Sequence, residues 1–236
     1  MLTEANISEP RRMLAEHLAE TGERLSFTAY VVACLARTLE DFPEFNAFRR
    51  GRRTVILEDV TIGVLFEREM GGESVPEPVG VQHAQRKSYR EIHEEIRQVE
   101  ARRDERMGAV TGTTWVRLVP KVLMRSFMRL ASQSISMQRR FGVVAVTAVG
   151  MFASGSLWLL PLTSATVTVA VGGIAPRPVL VDGRLEEHEH LCLTLSFNHD
   201  LIDGAPAARF VSRLNELLAS ARVLQEVTAS SPADPH

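Results

Sequence analysis

Apolar positions along this chain follow two different periods. Phe27, Tyr30, Val31, Cys34, Leu35 and Leu39 recur at three- and four-residue intervals, which predicts an amphipathic helix over 26–40 with Ser26 as its N-cap. Pro43 lies just beyond its end. A shorter helix is expected over 10–23, stopped near Gly22. Ser88 with Glu91 three residues later is a capping box, and it opens a polar helix over 88–106 whose charges alternate in sign, the mark of a solvated face. A further helix is expected from Ala207 to Leu218. Strands are expected over 53–57 and 60–66 around a Glu58-Asp59 turn, and over 143–149, 165–172, 178–181 and 191–197, with Asp182-Gly183 as a hairpin turn. The Gly- and Pro-rich stretch 69–78 reads as a loop, and 219–236, without apolar period, as a frayed tail.

One segment combines apolar periodicity with a basic stripe. Arg117, Lys121, Arg125 and Arg129 recur every four residues between Trp115, Leu118, Val122, Leu123 and Phe127. This predicts an amphipathic helix within 113–141, with Pro120 in its first turn. Such a helix can pack on the core or on a neighbouring subunit. It can also contact the phosphates of coenzyme A or an anionic membrane surface, and peripheral membrane contact through 115–141 is the less favoured of these readings.

Composition narrows the class. At 236 residues, 45% hydrophobic and 24% charged, the chain can bury one substantial core as one globular domain. The net charge of −2 gives no general reason to expect nucleic acid. Cys34 and Cys192 lie in apolar runs and read as buried free thiols of a reducing compartment. The polar first twelve residues do not read as a signal peptide, and no apolar run is long enough to cross a membrane, so a cytoplasmic location is expected. Glu186-Glu187-His188-Glu189-His190 places two histidines on one strand face but lacks a third ligand at a sensible spacing, so it reads as a solvated edge and no metal is expected. His83 and His93 read as surface or interface residues. Neither Gly71-Gly72 nor Gly172-Gly173 belongs to a phosphate-loop pattern.

The candidate chemistry lies where the last strand meets the last helix. His199, Asp203 and Gly204 stand at H-x-x-x-D-G spacing directly after the run 191–197. A rigid strand there fixes a side chain whose tip stays open. Imidazole is the one side chain whose ordinary pKa lies near physiological pH, so it can take a proton from a thiol or hydroxyl. Asp203 could orient that histidine or hold the loop through an arginine, and Gly204 permits a tight turn. Three fixed positions are a weak pattern, and a satisfied histidine in a helix-capping loop would look the same.

The longer string LTLSFNHDLIDGAPAARFVSRLNELL resembles the C-terminal signature of the catalytic domain of 2-oxo acid dehydrogenase acyltransferases (dihydrolipoamide acyltransferases) and, more distantly, chloramphenicol acetyltransferase. His199, Asp203, Gly204, Ala205, Ala207, Ala208 and Phe210 fall in register with the family string. Asn198 and Asp200 depart from it, standing where the family usually has Asp and Arg. The segments around Pro43, Asn46 and Ala47, around Lys87-Ser88, around GVVAVTAVGMF and around VAVGGIAPRPVLVDGRL are also similar, in the family's order, from about residue 3 to 219.

This resemblance implies an α/β fold of the chloramphenicol acetyltransferase-like, two-layer type, a mixed β-sheet covered by helices. It implies one catalytic domain over 1–219, with 113–141 as an inserted basic amphipathic helical element and 220–236 as a flexible tail. It further implies a homotrimer with active sites between subunits, open to higher assembly. By the same resemblance His199 is the general base, Thr147 the oxyanion donor and Asp203 a loop organiser. The acyl group would pass between a coenzyme A-type or lipoyl-type thioester and a thiol or hydroxyl acceptor. Coenzyme A is the expected carrier, because no lipoyl domain or Ala/Pro-rich linker is read in the chain. The front of the domain reads as shortened. A non-catalytic scaffold that kept the fold is the rival reading, favoured by Asn198, Asp200 and the shortened front.

Overall fold

The computed structural model describes residues 1–70, 73–101, 133–148, 155–162 and 165–228. Most of the stretch expected to form the inserted basic helix lies outside them.

The elements run β1 (Leu2–Asn6), α1 (Ser8–Thr21), α2 (Phe27–Asp41), a 3₁₀ turn (Pro43–Phe45), β2 (Ala47–Arg50), β3 (Arg53–Ile56), β4 (Ile62–Met70), β5 (Glu73–Val81), a second 3₁₀ turn (Ala84–Arg86) and α3 (Tyr89–Ala101). They continue with α4 (Ile135–Phe141), β6 (Val144–Ala148), β7 (Val167–Val181), β8 (Arg184–Phe197), α5 (Gly204–Ser220) and α6 (Arg222–Thr228). Six strands form one sheet in the order β1-β8-β7-β6-β4-β5, and β2 pairs with β3 in a separate hairpin. β4, β6 and β7 are parallel, while β1, β8 and β5 run antiparallel to their neighbours. This is a mixed sheet with helices on one face, an α/β fold as the sequence implied.

The core forms where alternate strand residues meet apolar helix faces. Ile62, Val64, Val144, Val146, Val167, Val169, Leu193 and Leu195 share one cluster with Tyr30, Val31, Leu35, Phe210 and Leu214. Alternation then turns Ala145, Thr147, Thr168, Ala170, Cys192 and Thr194 to the opposite face, which is small and polar. α2 is central and buried along almost its whole length. Its N-cap is the one expected, with the Ser26 side chain accepting from the Ala29 N–H at 3.3 Å. At α3, Ser88 and Glu91 bond each other's backbone N–H groups, the expected capping box. Both cysteines are buried free thiols. Burial pushes the Cys34 thiol up to about 12, so it is no nucleophile at neutral pH.

Several elements differ from the sequence expectation. The stretch 69–78 is no loop: β4 runs to Met70 and β5 begins at Glu73. Pro76 and Pro78 are tolerated because β5 is an edge strand, where the missing N–H groups have no outer partner to serve. The two strands expected at 165–172 and 178–181 are one strand, β7, interrupted by a bulge between Val171 and Ile174. Gly172 and Gly173 sit at that bulge because the segment 155–157 crosses there. A Cβ on either would meet a carbonyl oxygen, of Leu157 or Gly155, at 2.0 Å. The expected tail contains α6, whose Val223 and Leu224 are buried in the core; residues 229–236 lie outside the described ones.

His93 is also a correction: it is 4% exposed, not a surface residue. Its Nδ1 accepts the Ser26 backbone N–H at 3.1 Å, which ties α3 to the start of α2. The Tyr89 ring lies tilted beside it with ring centres 6.2 Å apart, and Glu23, Arg90, Glu94 and Arg97 supply the nearby charges. Burial lowers its pKa below the ordinary value of 6.5, so the folded state holds it neutral while the unfolded chain takes up a proton. Stability is therefore expected to be complete above pH 6.5 and to fall as pH drops through it, by at most about 1.4 kcal/mol per pH unit for one proton. The lowered carboxyls of Glu4, held by Arg177, and Glu23, held by Arg90, act only below their ordinary value of 4.5. Urea midpoints between pH 7.5 and 5.5 test this: His93→Gln, which keeps an acceptor, should flatten the curve, and an unchanged slope would remove His93 as its source.

Candidate active site

β8 ends at Phe197 and α5 begins at Gly204, and the six residues between them carry the candidate histidine. Asn198 organises this turn. Its N–H donates to the Thr166 carbonyl at 2.9 Å, its side-chain oxygen accepts the Asp200 N–H at 3.0 Å, and its own carbonyl accepts the N–H groups of Leu201 and Ile202. Phe197 and Ile202 anchor the two ends. Phe197 meets an aromatic cluster in which Phe210 of α5 stacks on Phe45 with ring centres 4.6 Å apart. His199 stands at the tip with 85% of its side chain exposed.

Asp203 is the N-cap residue of α5, but its side chain makes no capping bond. Its Oδ1 lies 4.0 Å from His199 Nδ1, a loose contact between two exposed side chains. Among the described residues no arginine pairs with Asp203. The nearest arginine of the turn pairs elsewhere: Arg49 of β2 reaches Asp200 at 3.6 Å. Asp200 is one of the two residues that depart from the family string. The lost arginine charge is thus returned to the turn from another element, and the other departure, Asn198, holds the turn through its side chain.

Thr147 lies in the middle of the sheet, between Leu65 of β4 and Ala170 of β7, and points away from the helices. The register separates it from His199. Thr147 shares a row with Ala170 and Thr194, whereas Phe197 shares a row with Val167 and Val144. Three residues along and two strands across, at ~3.3 Å per residue and ~4.8 Å per strand, put Phe197 roughly 14 Å from Thr147. His199 lies farther still. The two side chains of one chain therefore cannot converge on a single carbonyl group, while His199 and Asp203 are brought together.

Two features of this end of the molecule escaped the sequence reading. One is the Arg49–Asp200 pair. The other is the hairpin tip Arg49-Arg50-Gly51-Arg52-Arg53, whose signal was present as four arginines around a glycine between two short strands. A polar cleft of about 660 Å³ also opens at this sheet end, between Asp59, His83 and Arg139-Arg140. None of Thr147, His199 and Asp203 lines it.

The His188/His190 strand face is half-buried rather than solvated. His188 Nδ1 meets the Asn6 side-chain amide at 2.8 Å, and His190 Nδ1 lies 3.8 Å from Glu4. Among the described residues no three His, Cys, Asp or Glu side chains are grouped as metal ligands would be. No helix among them is long and apolar enough to cross a membrane.

Comparison with known proteins places this geometry. The chain is 27% identical over 218 residues to the dihydrolipoyllysine-residue acetyltransferase component of the pyruvate dehydrogenase complex of Staphylococcus epidermidis. The match covers 91% of this chain and 43% of the relative, so the chain spans less than half the length of the curated relatives it matches. Dihydrolipoamide acetyltransferase of Azotobacter vinelandii superposes with a TM-score of 0.70 at 21% identity, over 95% of this chain and 82% of that one. Chloramphenicol acetyltransferase superposes with a TM-score of 0.53 at 13% identity, over 92% and 86%. These two likenesses establish the fold. The family model described as 2-oxoacid dehydrogenases acyltransferase (catalytic domain) matches residues 3–111 and 136–225, passing over the basic segment. With that match running from β1 through the histidine turn into α6, the chain belongs to the acyltransferase catalytic-domain family of the 2-oxoacid dehydrogenases.

Proposed function

We propose that this chain transfers an acyl group between a coenzyme A-type thioester and a thiol or hydroxyl acceptor, with His199 as general base and Thr147 as oxyanion donor. The observation that carries the reading is the histidine turn: a rigid strand end holds an exposed imidazole with a carboxylate 4.0 Å from Nδ1. Nε2 takes the proton of the acceptor as it adds to the thioester carbonyl. The Thr147 hydroxyl donates to the oxyanion, worth a few kcal/mol in a dry site. Collapse breaks the carbon–sulfur bond, and the departing thiolate recovers the proton from the imidazolium. Asp203, with its Oδ1 4.0 Å from Nδ1, is read as organising the turn rather than as taking part in the chemistry.

Spacing supports these roles. For the Azotobacter vinelandii enzyme a serine, a histidine and an asparagine were investigated for their role in the catalytic mechanism; the serine precedes the histidine by 52 positions and the asparagine follows it by four. Thr147, His199 and Asp203 stand at the same two intervals.

The distance between Thr147 and His199 supports a site completed by a second copy, with His199 of one chain facing Thr147 of the next. A heterologous contact of this kind closes into a ring, and a trimer is the ring proposed here. On this face of the sheet the small side chains of Ala145 and Thr147 are only half-buried, which suits close approach by another chain.

Incubation with a panel of acyl-CoA thioesters and a dithiol acceptor tests the reading through release of free coenzyme A. Donor-dependent release is expected, and Thr147→Val should slow it about 10- to 1000-fold, as for loss of one oxyanion hydrogen bond. No release with any donor would favour a scaffold that kept the fold without turnover.

A further inference from the structure

The β2–β3 hairpin carries a concentration of charge that the fold does not need. Arg49, Arg50, Arg52 and Arg53 surround Gly51, and all five residues are exposed. Gly51 takes a φ of 61°, the sign that a glycine-first two-residue hairpin turn requires. Arg50 and Arg53 are direct cross-strand partners, and like charges placed opposite each other weaken a strand pair. Among the described residues the one ion pair of these four side chains is that of Arg49 with Asp200. The guanidinium groups of Arg50, Arg52 and Arg53 are left at the tip. The arm that carries them is well anchored. The Asn46 side chain donates to the carbonyls of Leu57 and Asp59 at 2.8 and 3.1 Å, Thr166 donates to the Ala47 carbonyl, and Phe48 is buried. Asp200 adjoins His199, so the arm stands beside the catalytic turn.

We propose that this arginine hairpin recognises the phosphates of the acyl donor whose thioester sits at His199, a proposal that rests on the acyl-transfer reading above. Planar guanidiniums on a stiff two-stranded arm present forked donors that match phosphate oxygens. Arg49 meets Asp200, and the tip extends one to three residues beyond it, so a phosphate there stands on the order of 10 Å or more from the imidazole. That spacing suits a donor whose phosphates and reacting carbon are separated by a long flexible arm, as the pantetheine arm of coenzyme A separates them. It excludes an acyl phosphate, in which phosphate and acyl carbon share one oxygen. The tip is a few residues wide on a chain of net charge −2, which favours a small polyanion over a nucleic acid or a lipid surface.

The test is a triple variant of the full chain, Arg50→Gln, Arg52→Gln and Arg53→Gln, with Arg49 kept for Asp200. Binding of coenzyme A and of phosphate-free pantetheine is measured by calorimetry, and turnover is measured with the thioester of each. The variant should bind coenzyme A at least about tenfold more weakly, and the preference for coenzyme A over pantetheine should collapse toward one. The corresponding triple lysine variant should recover part of it, and added salt should shrink the wild-type preference. Wild-type affinity of the glutamine variant for coenzyme A, or an equal loss toward pantetheine, overturns the proposal. So does loss of binding to phosphatidylserine vesicles with coenzyme A binding retained. Should the variant not fold, competition by adenosine 3′,5′-bisphosphate on the wild-type protein decides: competition supports the arm, and none overturns it. Arginine-dependent coenzyme A binding without turnover would retain the arm and discard the catalytic reading. Equal turnover of the two thioesters by the wild type would do the reverse.

Discussion

Replacement of His199 by alanine is expected to lower acyl transfer by about 10²- to 10⁴-fold, the range associated with loss of a positioned general base. The fold should survive unchanged. The imidazole is 85% exposed, and its nearest charged partner, Asp203, is 4.0 Å away and 86% exposed. Removal of such a side chain alters stability by no more than about 0.5 kcal/mol. Coenzyme A release and the thermal midpoint, measured on the same preparation, separate the two effects. Near-normal turnover in the variant would remove His199 from the mechanism. Lost turnover together with a lowered midpoint would mean that the turn, rather than the base, had been damaged.

Mixing two impaired chains should restore activity. The register keeps Thr147 and His199 of one chain apart, so the site proposed above would take its base from one copy and its oxyanion donor from another. In a ring, a His199→Ala chain still offers Thr147 to its neighbour, and a Thr147→Val chain still offers His199. Random co-assembly of equal amounts leaves about one site in four with both groups intact. Co-expressed variants are therefore expected to show about a quarter of wild-type turnover, above either variant alone. A mixture no more active than the mean of its parents would sink the shared site. Co-expression matters, because rings assembled separately exchange subunits only if they dissociate.

Asp200 shows how a departure from a family pattern is absorbed. Taken alone, an acidic residue where the family has arginine looks like a damaged site. In the folded chain Arg49 lies 3.6 Å from it, so Asp200 has a partner of opposite charge within the fold. The scaffold reading loses one of its supports by this pairing. What it retains is decided by the donor panel.

Local chemistry in the sequence was sufficient for the elements whose stability is local. Ser26 and the apolar face of α2, the Ser88–Glu91 box, the Asp182-Gly183 turn and the passage from β8 through His199 into α5 are all written in residues a few positions apart. The matching order of segments then made the fold family legible as well. Tertiary structure alone decided the rest. Pro76 and Pro78 form a strand because β5 happens to be the outermost one; a short stretch of sequence does not say which strand will have no outer neighbour. Val223 and Leu224 are two apolar residues in a polar tail until the core offers them a place. His93 is buried because the start of α2 supplies an N–H to it. Arg49 meets Asp200, and Thr147 is held away from His199, through pairings between segments about 150 and 50 residues apart. Periodicity and capping encode the chain's interaction with its own neighbours and with water. Which elements then meet depends on the packing of the whole, and that packing sets the distance between the two proposed catalytic groups.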